Sequence, residues 1–202
     1  MSRLAALVGV IALAVGCRTA RPLQPAAPPI ASAPASSEPA PETIPWSATR
    51  PLRWTDFRAQ PAVGTGGAAL TTTTISLRVA CSGDLFGFDV AAVFFSGRSW
   101  VDRTLFVEPG SDLWGLRHEQ THFDLTEMHA RRARQFLSEL AHPCERGAAQ
   151  LSELGDRFVN EAQDAQDRYD RETIHGRDGT AQRRWDAEVA QELAALAAFA
   201  HK

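Results

Sequence analysis

Apolar and polar positions alternate along one stretch of this chain and recur every three to four residues along another. Thr71, Thr73, Ile75, Leu77, Val79 and Cys81 alternate with Thr72, Thr74, Ser76, Arg78 and Ala80, the period-two pattern of a half-buried strand rich in β-branched residues. Ser82-Gly83-Asp84 predicts a turn, and Leu85 to Phe95, with Phe86, Phe88 and Val90 in alternation, predicts the antiparallel partner. Gly97 ends that strand, and Trp100 to Val107 reads as a third. Upstream, Val63 to Ala68 is a Gly-rich loop, Leu52 to Phe57 is a short β-prone stretch, and Trp46, Trp54 and Phe57 are its aromatic anchors.

After Pro109 the period lengthens to that of a helix. Leu113, Leu116, Phe123, Met128, Phe136, Leu137 and Leu140 mark one apolar side out to Ala141, with Ser111 as N-cap and Asp112 in the first turn, where the helix dipole favours an anion. His142-Pro143-Cys144 ends this helix, because proline cannot continue it. A second helix is predicted from about Arg146 to Thr173, with Leu151, Leu154, Phe158, Ala162, Ala165 and Tyr169 on one face and Gly176 as its stop. A third runs from about Thr180 to the C-terminus with Trp185, Val189 and Leu193 inward. The fold class expected is α+β: a small antiparallel sheet, then a helical hairpin, then a C-terminal helix.

The N-terminal residues change the picture of where this domain resides. A basic start at Met1-Ser2-Arg3 precedes an unbroken apolar run from Leu4 to Val15. That run is shorter than the roughly 20 residues a membrane span needs, and it matches a signal-peptide core. It closes on Ala14-Val15-Gly16-Cys17, which resembles a bacterial lipobox, with Ala where Leu is usual three residues before the cysteine. Residues 1–16 are therefore read as a lipoprotein signal peptide and Cys17 as the lipidated residue that anchors the chain to the cell envelope. Residues 17–45, rich in Ala, Pro and Ser, read as a tether, since such a segment buries too little to offset its ordering entropy. The domain proper is expected over residues 46–202.

Cysteine parity fits an exported protein. The chain has three cysteines. With Cys17 lipidated, Cys81 and Cys144 remain as a pair, and a disulfide between them is expected in an oxidising compartment. The formal net charge of -3 gives no basic face for nucleic acid. The arginines of the C-terminal half are interleaved with Asp and Glu, as on solvated helix faces.

The chemistry concentrates in His118-Glu119-Gln120-Thr121-His122, the His-Glu-x-x-His pattern on a predicted helix. Residues four apart share a helix face about 5.4 Å apart, so His118 and His122 can share one Zn2+ at Zn–N distances of about 2.0–2.1 Å. Glu119 beside them is the expected general base for a zinc-activated water. His129 lies about 16 Å along the axis from His118, too far for the same ion, and reads as a surface or packing residue. A catalytic zinc needs a third protein ligand. A hairpin turning at 142–145 puts residues near Asp167 to Tyr169 level with the two histidines, which directs attention to Tyr169-Asp170-Arg171-Glu172-Thr173-Ile174-His175-Gly176. Glu172 continues the Ala165, Tyr169 face and is the first choice of ligand, with His175 second and Asp170 third. Tyr169 or His175 is a candidate donor to a developing oxyanion, and Asp170 could instead orient a ligand histidine.

These residues resemble a bacterial group, the domain-of-unknown-function 922 family, whose members are described as predicted secreted zinc-dependent proteases. The likeness rests on Trp54-Thr55-Asp56-Phe57, Ser99-Trp100-Val101, His118 to Asp124, Tyr169-Asp170 with Thr173 and His175-Gly176, and Gln182 with Trp185. It implies a zincin-like fold and a peptidase activity on peptides or envelope proteins. A different class of function also fits the sequence: a non-catalytic envelope lipoprotein that keeps the zinc-site geometry as a binding or structural module. An intact Glu119 distinguishes the two, because a purely structural zinc site closes its fourth position and needs no general base.

Overall fold

The computed structural model describes residues 42–61 and 67–201. The signal peptide, Cys17 and most of the tether lie outside the described residues, as do residues 63–66 of the Gly-rich loop. The architecture is α+β. Strands β1 (Thr43–Pro45), β3 (Thr73–Ser82) and β4 (Leu85–Phe95) form an antiparallel sheet in the order β1-β4-β3, while β2 (Ala69–Leu70) and β5 (Trp100–Val101) pair separately. The helices are α1 (Ser111–Ser138), α2 (Ala148–Thr173) and α3 (Gly179–Ala195).

The β3–β4 hairpin follows the alternation in the sequence. Ser82 pairs with Leu85 across a two-residue turn, and Gly83 takes the left-handed backbone that turn requires (φ 59°). Ile75 lies opposite Ala92 and Thr73 opposite Phe94, so Ile75, Val90, Ala92 and Phe94 line the covered face. Three expectations are corrected. Thr43–Pro45, the end of the stretch read as tether, pairs with β4 and belongs to the sheet. Trp54–Asp56 is a 3-10 turn rather than a strand, because the Asp56 carboxylate accepts from the Arg53 amide and from Arg50 and so closes the chain on itself. The predicted third strand shrinks to Trp100–Val101, after which Asp102 caps a 3-10 turn over Arg103–Leu105 by accepting from the Thr104 amide.

Two cores meet on α1. On one side Phe123, Ala130, Ala133 and Leu137 pack against the sheet through Phe94 and Val90, with Phe158 of α2 closing the layer. On the other side Leu125 and Met128 pack with Tyr169 of α2 and Trp185 and Val189 of α3. Serving both cores, α1 buries residues of every chemical type, including Glu127, Arg131 and Arg134. These are not the solvated charges expected: Glu127 accepts from both guanidinium groups, while Arg131 also donates to the Leu193 carbonyl and Arg134 to the Val90 carbonyl. Cys81 and Cys144 form a disulfide, with their Cα atoms 5.7 Å apart, joining the end of β3 to the turn between α1 and α2. No helix among the described residues is long and apolar enough to cross a membrane.

Candidate metal centre

The turn at 142–147 makes α1 and α2 antiparallel neighbours, and the register that results sets Gln166 and Asp170 beside the His-Glu-x-x-His turn of α1. The Nε2 atoms of His118 and His122 lie 3.2 Å apart, and each is 3.1 Å from Oδ1 of Asp170. These three form a group that could hold a metal ion. Two imidazole nitrogens and a carboxylate oxygen suit zinc, and ligand atoms at about 2.0–2.1 Å from a tetrahedral zinc stand about 3.3 Å from one another. The triangle fits that spacing.

Both rings are gripped on their far nitrogens. His118 Nδ1 is 2.9 Å from Oε1 of Gln182 on α3, and His122 Nδ1 is 2.6 Å from Oε1 of Gln166 on α2. Tyr169 stacks on His118 with ring centroids 4.7 Å apart and meets His122 edge-on at 4.8 Å. The last contact is from the backbone: a Cβ on Gly176 would lie 3.1 Å from His118 Cγ, and Gly176 is left-handed (φ 77°). Only glycine satisfies both demands. Gly176 ends a left-handed run with Ile174 (φ 53°) and His175 (φ 52°). Such backbone persists where its surroundings over-determine it: Thr173 Oγ1 accepts from the Gly176 amide, and the Trp114 indole donates to the Gly176 carbonyl at 2.7 Å.

Electrostatically the cluster is organised around Asp170. Burial pushes its carboxyl up, but hydrogen bonds from both histidines outweigh burial and hold it well below the usual carboxylate range. For His122, burial pushes the imidazole down, while the Asp170 carboxylate and the nearby Glu119 charge raise it further, to about 9.

The other candidates fall as follows. Glu119 is buried, 6% exposed, and accepts no hydrogen bond among the described residues. Glu172, the first choice of third ligand, turns away: its Oε2 accepts from Arg184 at 2.6 Å and from the Trp185 indole at 3.0 Å. The inward side of α2 faces two partners, and the step from Tyr169 to Glu172 leads to α3, whereas the step from Gln166 to Asp170 leads to α1. His175 is 68% exposed at the mouth, its Nδ1 3.4 Å from Oδ2 of Asp170. Tyr169 cannot serve an oxyanion, since it is fully buried and its hydroxyl donates to Gln182 Oε1 at 2.7 Å. Burial pushes that hydroxyl well above the ordinary tyrosine range. His129 is a buried packing residue. Gln166 is the site residue that sequence reasoning missed, and its only signal is its place four residues before Asp170 on the same helix face.

No curated protein and no solved structure matches the chain. A family model does match residues 115–176, which run from the start of the His118–His122 turn to the glycine packed on His118. Those residues, and with them all three convergent side chains, are similar to the bacterial proteins of unknown function grouped as DUF922.

Proposed function

We propose that this protein is a zinc-dependent hydrolase, a metallopeptidase held at the bacterial envelope. The observation that carries the reading is the convergence of His118 Nε2, His122 Nε2 and Asp170 Oδ1 at 3.1–3.2 Å, one residue from a buried Glu119 that has no hydrogen-bond partner among the described residues. Three protein ligands leave a fourth position open, the arrangement of catalytic rather than structural zinc. Zinc bound there supplies a Lewis acid that acidifies water and polarises a carbonyl. Glu119 takes the proton of the attacking water on its carboxylate and returns it to the leaving amine. His175, exposed at the mouth, is the proposed group to hold the carbonyl oxygen of a substrate.

The proposed location outside the cytoplasm is supported by the Cys81–Cys144 disulfide, since such bonds persist in oxidising compartments. It is supported too by the apolar run and lipobox-like Ala14-Val15-Gly16-Cys17. The substrates proposed are peptides or envelope proteins, with Cys17 lipid as the membrane contact.

The test is metal content and hydrolysis of a panel of fluorescence-quenched peptides by the full chain and its Glu119→Gln variant. About one zinc per chain is expected in both, with hydrolysis lower by about 10²–10⁴-fold in the variant. A wild-type chain that takes up no zinc at saturation would sink the metal reading. Retained zinc with no hydrolysis by either chain would leave the non-catalytic binding module in its place, and hydrolysis that the variant leaves unchanged would remove Glu119 as the base.

A further inference from the structure

Each glutamine beside the metal-facing histidines is itself fixed by a partner that can only accept. Gln182 Nε2 lies 2.7 Å from Oδ1 of Asp186, and a carboxylate needs a donor, so the amide NH2 must face it. The amide oxygen is thereby turned to the Tyr169 hydroxyl and to His118 Nδ1. Asp186 is held in turn, accepting from Arg117 Nε and from the Thr121 hydroxyl. On α2 the logic repeats with a different anchor. Gln166 Nε2 lies 2.8 Å from the His122 carbonyl oxygen and 3.0 Å from Thr126 Oγ1, and a carbonyl oxygen also needs a donor. Gln166 Oε1 is therefore the atom that meets His122 Nδ1.

An amide oxygen cannot donate, so both Nδ1 atoms must carry hydrogen, and in the neutral ring the lone pair stands on Nε2. Both Nε2 atoms face Asp170. We infer that Gln182 and Gln166 are positioning residues that lock the two histidines, from two different helices, in the tautomer that coordinates through Nε2. The inference rests on the zinc reading above and adds to it the groups that prepare the site. Because both anchors are neutral amides, Asp170 is, among the described residues, the only carboxylate in contact with the two rings, and the proposed ligand set carries one negative charge against the two positive charges of zinc.

The experiment is zinc titration of the full chain combined with imidazole ¹⁵N NMR of the zinc-loaded protein, for wild type, Gln166→Leu, Gln182→Leu and Gln166→Glu. Wild type should show both histidines coordinated through Nε2 and protonated at Nδ1. Gln166→Leu should weaken zinc by about 10–100-fold and move the His122 resonances while leaving those of His118 in place. Gln182→Leu should do the reverse. Gln182 is fully buried, so where its variant fails to fold, the partly exposed Gln166 decides. Gln166→Glu keeps an acceptor for His122 Nδ1 but sets its second carboxylate oxygen against the His122 carbonyl, where the amide had donated, so it should recover only part of the lost affinity. Coordination through Nδ1 in wild type, or a Gln166→Leu variant with wild-type affinity and an unchanged His122 spectrum, overturns the inference while leaving the metal site standing. A wild type that takes up no zinc overturns the metal site itself.

Discussion

Asp170 and Glu172 are separated by one arginine, and about 200° of helix rotation at 100° per residue divides their tasks. Asp170 Oδ1 meets both His118 and His122, and Glu172 closes an ion pair with Arg184 on α3. Replacing each by its amide separates those tasks. Asp170→Asn keeps the shape but removes the charge that draws in a cation, and should abolish zinc uptake at micromolar metal. Glu172→Gln should bind zinc as wild type does and lose less than about 1 kcal/mol in urea unfolding, since the pair it breaks is partly exposed. Zinc titration of both variants is the check, and loss of binding in Glu172→Gln alone would restore Glu172 as the ligand. What sequence could show here was bounded. His118, Glu119 and His122 lie within one helical turn, so spacing alone places them together. The third ligand depends on which of two neighbouring helices a given side of α2 meets, and that information is tertiary.

At the scale of the element, α1 shows why its ends were easier to read than its middle. Its start after Pro109 and its stop before Pro143 follow from local chemistry, and Gly110 at the N-cap shifts the first helical residue only to Ser111. Its middle is packed on two sides, so charged residues that interleave like a solvated face are buried, as in Glu127 with Arg131 and Arg134. His129 belongs to that same stretch. Its Nε2 is buried without a hydrogen-bond partner among the described residues, and burial, with the Arg132 and Arg168 charges beside it, lowers its pKa to about 4 from 6.5. A depressed folded-state pKa means the unfolded chain takes the proton first. The stability contributed by neutral His129 is therefore complete above pH 6.5 and is lost as pH falls toward 4, by up to about 3 kcal/mol. His129→Phe should remove this loss. Urea unfolding of the zinc-free chains at pH 7 and pH 4.5 tests it: wild type should lose more stability between the two than the variant does, and equal losses would show that His129 does not titrate as described.

Across the whole molecule, the disulfide and the candidate metal centre occupy opposite ends of the α1–α2 hairpin. Cys144 lies in the turn that joins the helices, tied to the far end of β3, whereas His118, His122 and Asp170 meet near the start of α1 and the end of α2. The pairing of Cys81 with Cys144 could be expected from parity and compartment. That it clamps the closed end of the hairpin, away from the chemistry, follows only from the fold. The link spans 63 residues of sequence, and a loop of that size is worth about 4 kcal/mol in the chain-entropy account, with about 2–4 kcal/mol typical. The ligand side chains are held by contacts that do not pass through it: Gln166, Gln182, Tyr169 and Gly176 all act within the open end. Cys81→Ser with Cys144→Ser should thus lower the urea midpoint by an amount equivalent to about 2–4 kcal/mol while changing zinc affinity less than about threefold under conditions where the chain stays folded. Such a result would make the hairpin a lever fixed at one end and loaded at the other, with stability and metal binding separable by position. A parallel fall in zinc affinity and stability would instead show that the closed end sets the α1–α2 register on which the Asp170–histidine triangle depends.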